Sequence, residues 1–135
     1  MPAKDYYHDT VKRALLKDGW TITAEQVKII VEGRNLFIDM EIAHVSRGLV
    51  ALIEVKELEE VPSPVEALAS ALGKYFLYRW ALDDAGENTP LFLAVSQATY
   101  YGILSEKLGA MSIEHGNVPL LVFDPEREEI VKWLP

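Results

Sequence analysis

The hydrophobic residues of the chain recur at two spacings, and these divide it into helices and strands. Apolar positions three and four apart, such as Val11, Ala14 and Leu15, are typical of one face of a helix. Short runs rich in β-branched residues are typical of strands. The patterns predict this order of elements: helix 4–18, strand 20–31, strand 36–43, strand 49–56, helix 64–84, strand 91–95, helix 97–108, strand 118–123 and strand 129–134.

The connections between these elements predict how the strands are arranged. Short turns join the first three strands, which are therefore expected to form an antiparallel meander. A helix separates this meander from strand 91–95, so the chain must cross over and part of the sheet must be parallel. Strand 129–134 is expected at the edge. The sequence thus predicts a single domain over residues 1–135, of the α/β or mixed α+β class, with a central mixed sheet flanked by helices.

The helix predicted over residues 64–84 has the clearest signals. Ser63 is a capping residue, a proline follows at the first helical position, and Glu66 lies three residues after the cap. The apolar stripe expected to face the sheet consists of Val65, Leu68, Leu72, Phe76 and Trp80. Trp20, Trp80 and Trp133 are all expected in the core.

Three charged residues interrupt the strands over 36–43 and 49–56. Side chains alternate between the two faces of a strand, so Leu36, Ile38, Met40 and Ile42 are predicted to share an apolar face. Asp39 is predicted on the opposite face, and Glu54 and Lys56 share one face of the next strand. If the hairpin closes around residues 44–48, Asp39 falls near Ile53. A stagger of one residue brings Asp39 and Glu54 together.

Charged residues inside a strand are costly unless they are paired, solvated or bound to a metal. Two carboxylates at one end of a sheet are suited to Mg²⁺ or Mn²⁺. A lysine beside them can position or activate the water that attacks a phosphodiester. An aspartate followed by Glu-x-Lys on the next strand is the core of the PD-(D/E)xK nuclease pattern. The alternative is a solvated ion pair between Glu54 and Lys56. The following acids, Glu57, Glu59 and Glu60, are expected in a solvated loop, with Glu57 also within reach of a metal.

Composition and charge narrow the function. The chain has 135 residues, no cysteine and a formal net charge of −8. Disulfides and thiolate metal sites are therefore excluded, and strong unspecific DNA binding by this chain alone is disfavoured. A nuclease-like site is compatible with this charge, since a bound metal reverses the local field. The polar N-terminus and the absence of a long apolar run predict a cytoplasmic protein without a membrane segment.

Several stretches of the chain resemble one known family. They are MPAKDYYHDTVKRALLKDGWTIT, LFIDME, ALIEVK, ALASALGKYFLYRWAL and LLVFDPEREEIVKWLP. In this collinear order they are similar to the XisH family, the fdxN-element excision controlling factors of cyanobacteria. The resemblance implies a restriction-endonuclease-like fold and a role in DNA recombination. It also implies DNA as a partner, either branched or at the ends of the element, together with a companion excision factor and a site-specific recombinase. Analogy with small nucleases of this fold adds a homo-oligomer.

The resemblance also implies roles for individual residues. Asp39 and Glu54 would bind Mg²⁺ or Mn²⁺, and Lys56 would be the catalytic lysine. His8 would border the site as a substituted helix ligand or a phosphate contact, although a buried or capping histidine is the commoner role at such a position. Further contacts to nucleic acid are expected from Lys12, Lys74 and Tyr78.

Two features depart from related nucleases. The pair Lys74 and Tyr78 stands where relatives of this fold often have Gln-x-x-x-Tyr, and the hairpin between Asp39 and Glu54 is short. Two hypotheses therefore remain: a metal-dependent endodeoxyribonuclease, or a catalytically inactive accessory protein that works through protein partners. The Asp/Glu-x-Lys trio favours the first, and the acidic charge favours the second.

Overall fold

The computed structural model of the protein describes residues 6–135. Within them lie the following elements: α1 His8–Lys17, β1 Thr21–Val31, β2 Arg34–His44, β3 Leu49–Val55, α2 Pro64–Asp84, β4 Leu91–Ser96, α3 Gln97–Tyr101, α4 Lys107–Gly116, β5 Leu120–Asp124 and β6 Glu129–Leu134. Single 3-10 turns occupy Val45–Arg47 and Ile103–Ser105. The first helix was predicted from residue 4, but residues 4 and 5 lie outside the described part of the chain and α1 begins at His8.

The strands form one six-stranded sheet in the order β1-β2-β3-β4-β5-β6. Strands β1 to β3 are an antiparallel meander. Strand β4 pairs in parallel with β3 and with β5, and β6 closes the sheet antiparallel to β5. The predicted mixed sheet, the crossover and the edge position of the last strand are all confirmed. No helix in the described residues is long and apolar enough to cross a membrane.

Helices cover both faces of the sheet and enclose two apolar clusters. Helix α1 packs over the first cluster, which contains Val11, Leu15, Trp20, Met40, Ile42, Ala51, Ile53, Val55, Ala94, Leu121 and Phe123. Helix α2 and the segment after β4 pack over the second, whose members include Ile38, Leu52, Leu68, Ala71, Tyr75, Tyr78, Leu93, Val95, Leu104 and Val122. The sheet therefore has a separate core on each side.

Helix α2 begins as predicted but is rotated about its axis. The Ser63 hydroxyl accepts the hydrogen bond of the Glu66 amide at 3.3 Å. The buried stripe is Leu68, Ala71, Tyr75, Tyr78, Ala81 and Leu82. Val65 and Trp80 are exposed, Trp80 by 61 %, so their predicted core positions are wrong. The rotation follows from the tyrosines, because Tyr75 can be buried once its hydroxyl donates to the Leu91 carbonyl at 2.9 Å.

The helix predicted over residues 97–108 is wrong as a single element. Helix α3 ends at Tyr101, and α4 starts only at Lys107. The break has a specific cause: the Glu59 carboxylate accepts the Ile103 amide at 2.7 Å and so caps a new turn. Gly109 of α4 then packs against the Ile103 carbonyl at a separation with no room for a side chain.

Candidate functional site

The two strand carboxylates meet where β2 and β3 separate. The backbone ladder between these strands ends at the pair Met40–Ile53. One step beyond, Asp39 falls opposite Glu54, which is the one-residue stagger that brings them together. Side chains continue the pairing there: the Asp39 amide donates to Glu54 Oε1 at 3.2 Å, and the Val55 amide donates to Asp39 Oδ2 at 2.7 Å. Each carboxylate thus binds the backbone at the opposite strand.

Strand β2 changes faces at Asp39. Met40 and Ile42 pack in the cluster under α1, whereas Ile38 packs in the cluster under α2. The predicted common face of Leu36, Ile38, Met40 and Ile42 is therefore wrong. The neighbouring strand breaks its alternation at the same level, because Gln26 adopts φ 51° in the left-handed region. The flanking register pairs of β1 and β2 place Gln26 opposite Asp39. Asp39 consequently lies between the two layers of helices.

Burial makes this pair of carboxyl groups electrostatically unfavourable. Asp39 is 8 % exposed and Glu54 5 %. Burial, and after it the negative charge of Asp39, raise the pKa of Glu54 to about 8. Burial also raises the pKa of Asp39, although the hydrogen bond from the Val55 amide and the nearby His8 and Lys74 oppose that change. At neutral pH the pair therefore retains a proton.

His8 approaches the pair from the first turn of α1. The ring is 1 % exposed. Its Nε2 lies 3.0 Å from Glu25 Oε1, and its Nδ1 lies 3.8 Å from Asp39 Oδ1. Lys12, one turn further along α1, donates to the other oxygen of Glu25 at 2.8 Å. The hydrogen bonds from Lys12 and then His8 lower the pKa of Glu25 to about 2, so this carboxylate is ionised.

Lys56 lies just beyond the end of β3, in a neighbouring cleft of about 450 Å³. Its amide extends the pairing with β4 by donating to the Ala94 carbonyl at 3.0 Å. The side chain shares the cleft with Tyr6 and with Ser70 of α2. Asp39 and Glu54 are not among the described residues that line this cleft, and its links to the pair are Lys56, two residues after Glu54, and Tyr6, two residues before His8.

Two residues of α2 face the carboxylates from the other layer. The positive charge of Lys74 acts on both Asp39 and Glu54 and lowers the pKa of each. Tyr78 is buried one turn later, and burial together with the charges of Glu54 and Asp39 raises its pKa to about 12. The structure therefore brings together Asp39, Glu54, His8, Lys74 and Tyr78. Lys12 is joined to this group through Glu25.

Glu57 belongs to a second buried polar group, which the sequence analysis missed by expecting a solvated loop. It is 7 % exposed. Its Oε1 accepts the Thr99 hydroxyl at 3.2 Å and the Glu59 amide at 2.6 Å. These contacts tie the β3–α2 loop to α3. No sequence signal identifies this role, because Thr99 is 42 residues away along the chain.

The side chains of Asp39, Glu54 and His8 offer the types of ligand atom that a divalent cation binds, although they do not surround a common point. Carboxylate oxygens and an imidazole nitrogen are ligands that Mg²⁺, Mn²⁺ and related ions accept. His8 Nδ1 is a buried atom without a hydrogen-bond partner. Within residues 6–135, however, no three histidine, aspartate or glutamate side chains are arranged to hold a metal ion.

Comparison with known proteins gives a consistent result over nearly the whole chain. The family model described as XisH protein matches residues 1–131. The structure is similar to that of an XisH family protein from Nostoc punctiforme PCC 73102, with a TM-score of 0.88 and 34 % identity over 97 % of this chain and 100 % of that one. It is also similar to an fdxN element excision controlling factor protein from Anabaena variabilis, with a TM-score of 0.88 and 33 % identity over 96 % and 98 % of the two chains. A search of curated proteins found no match.

Proposed function

The chain belongs to the XisH family, and from this premise we propose that it takes part in excision of a DNA element through a metal-dependent phosphodiesterase site of the PD-(D/E)xK type. The role in excision is carried over from the relative described as an fdxN element excision controlling factor. In this proposal Asp39 and Glu54 hold Mg²⁺ or Mn²⁺. The central mixed sheet would then be a restriction-endonuclease-like scaffold, acting on branched or element-end DNA with a companion factor and a recombinase.

The observation that carries the proposal is the burial of two facing carboxyl groups, Asp39 and Glu54, at the point where their strands separate. Two like charges so placed are held only at a cost, which the raised pKa of each group expresses. Groups perturbed in this way cluster at functional sites. A divalent cation would remove the cost by replacing the shared proton, and it would polarise a phosphate and lower the pKa of a bound water.

The two lysines have separate places in this proposal. Lys56 lies in the cleft beside the pair, where it can contact a phosphate and orient the attacking water. Lys74 faces the pair from α2 and offsets part of its negative charge. Lys74 thereby supports the ionised carboxylates that a metal needs.

One observation favours the second candidate, a non-catalytic accessory protein. Both carboxylates accept backbone amides of the opposite strand, so they also hold β2 and β3 together without any metal. The net charge of −8 suits binding to a protein better than unaided binding to DNA. The exposed Leu77 and Trp80 on α2 offer apolar surface for such a partner.

Calorimetric titration with Mn²⁺ separates the two candidates. Wild type is compared with Asp39→Asn and with the control Glu41→Gln, which alters an acid of the same strand that is hydrogen-bonded to Thr23 instead. We expect binding in wild type and in the control, and its loss in Asp39→Asn, accompanied by Mn²⁺-dependent cleavage of branched or linear DNA. Absence of both binding and cleavage in wild type would favour the accessory role. Binding that persists in Asp39→Asn would refute the assigned site.

A further inference from the structure

His8 has one hydrogen-bonded ring nitrogen and one without a partner. Its Nε2 lies at hydrogen-bond distance from Glu25, whereas Nδ1 has no hydrogen-bond partner. The nearest acidic oxygen to Nδ1, Asp39 Oδ1, is 3.8 Å away, too far for a hydrogen bond. A buried polar atom left in this state is unusual and calls for an explanation such as a bound ion.

The contact with Glu25 decides which nitrogen is free to bind. An ionised carboxylate only accepts hydrogen bonds, so the proton of the ring lies on Nε2, where it is donated to Glu25. In the neutral ring Nδ1 then carries a lone pair, on the same side as Asp39. Lys12 fixes the other oxygen of Glu25 at 2.8 Å. This chain from Lys12 through Glu25 to the ring is the arrangement that orients metal-binding histidines in proteins.

A second, independent observation falls at the same place. Among the buried side-chain atoms in residues 6–135, the one other without a hydrogen-bond partner is Gln26 Oε1. Gln26 lies opposite Asp39 in the β1–β2 register and has a left-handed backbone conformation. Both unsatisfied atoms thus belong to residues adjacent to Asp39. The two buried side-chain atoms without a partner in the described residues therefore both occur beside Asp39, one through a side-chain approach and one through strand register, and this supports a polar ligand at that point.

We propose that His8 Nδ1, together with Asp39, is a ligand to a divalent transition-metal ion such as Mn²⁺, and that Glu25 is the positioning residue that holds the ring. The proposal rests on the carboxylate site described under the proposed function and specifies its metal. Imidazole nitrogen is a better ligand for Mn²⁺ and the later transition metals than for Mg²⁺, which prefers oxygen. The site is therefore selective for Mn²⁺ over Mg²⁺.

Calorimetric titrations of the full chain with Mn²⁺ alone and Mg²⁺ alone test this selectivity. We expect wild type to bind Mn²⁺ at least about tenfold more tightly than Mg²⁺. His8→Asn puts an amide in place of Nδ1 and should reduce that ratio to less than about threefold. Glu25→Gln should weaken Mn²⁺ binding by about tenfold or more, the usual effect of losing an outer partner. The matched control Glu41→Gln alters an acid of β2 that is hydrogen-bonded to Thr23 instead, and it should retain the wild-type ratio.

Nitrogen-15 NMR of the wild-type histidine ring gives a readout that needs no variant and no DNA cleavage. Diamagnetic Zn²⁺ is the probe, and we expect it to shift the Nδ1 resonance of His8 while Nε2 stays protonated. An Nδ1 resonance that stays unchanged at saturating Zn²⁺ would overturn the proposal. So would an unchanged ratio in a folded His8→Asn. If these results accompany Mn²⁺ binding that still needs Asp39, only the assignment to His8 fails, whereas absence of any binding removes the proposed function as well.

Discussion

Two pairs of acidic residues lie near the end of β3, and their carboxyl groups have different surroundings. Glu57 and Glu59 follow that end, whereas Glu54 precedes it and is opposite Asp39 of β2. Glu57 and Glu59 accept hydrogen bonds from the Thr99 hydroxyl and from the amides of Glu59 and Ile103. Asp39 and Glu54 also accept backbone amides, but their carboxyl groups face each other. The pKa is raised for both members of the second pair.

The difference separates a structural pair of acids from the pair that we propose as metal ligands. The first pair is used to fix a loop to α3, since its bonds join segments distant in sequence. The second pair satisfies two amides but keeps an excess of negative charge in a buried place. Burial alone therefore does not distinguish the two pairs; the charge that remains unbalanced after the hydrogen bonds are made does.

The largest expected contrast is in metal-dependent cleavage. Asp39→Asn removes a proposed metal ligand, and we expect it to lower the cleavage rate by more than about 100-fold, the upper range for losing only an outer partner. Glu57→Gln retains a carbonyl oxygen for Thr99 and should stay within about threefold of wild type. The rates are measured on the same DNA with Mn²⁺. An equal loss in both variants would remove the distinction between the two pairs.

In contrast to the cleavage rate, the stability of the fold should depend on Glu57. Glu57→Ala leaves the Thr99 hydroxyl and the Glu59 amide without their acceptor, and we expect unfolding free energy to fall by roughly 1–3 kcal/mol. The check is urea denaturation followed by circular dichroism, with Glu60→Ala as the control at an exposed position of the same loop. A Glu57→Ala variant as stable as this control would show that the hydrogen bonds of Glu57 do not hold the loop.

The pH dependence of stability should identify Glu54. Its folded-state pKa of about 8 lies above the ordinary value of 4.5, so the folded state keeps a proton that the unfolded state has lost. This proton stabilises the folded state fully at pH values below the ordinary pKa of 4.5. The stabilisation is lost as the pH rises through the folded-state pKa of about 8. Metal-free wild type should lose up to about 1.4 kcal/mol per pH unit over this window. Glu54→Gln should be flatter; a wild-type profile already flat from pH 5 to 8 would contradict the raised pKa.

The smallest expected effect distinguishes the two lysines. Lys74 lowers the pKa of Asp39 and Glu54, so Lys74→Met should move the midpoint of that pH profile upward by a fraction of a pH unit. Lys56→Met should leave the midpoint in place, because the Lys56 side chain lies in the adjoining cleft. Parallel denaturation series at fixed ionic strength measure the midpoints. A shift caused by Lys56→Met and not by Lys74→Met would reverse the assignment of the two side chains.

Sequence patterns were sufficient for the order of the strands because alternation, turns and capping signals are local. They also predicted Glu54 and Lys56 on one face from a two-residue spacing, whereas β3 ends at Val55 and Lys56 lines the neighbouring cleft. They failed at Ile38 and Met40, where the face changes, because this change accompanies an irregular backbone at Gln26, which lies in another strand. They failed for Trp80 because the burial of Tyr75 and Tyr78 depends on partners that a helical pattern does not contain.

The change of face at Asp39 also has a consequence for how the chain folds. In an ordinary hairpin, a slip of two residues returns every side chain to the correct side of the sheet, so neighbouring registers compete. Here the residues before Asp39 serve one core and those after it serve the other. A slip of β2 in either direction would move either an apolar residue or the Asp39 carboxylate past the point where the strand changes faces. That side chain would then lie on the wrong side of the sheet. The change of face in β2 places Asp39 between both helical layers. It therefore also leaves β1, β2 and β3 only one register in which to pair.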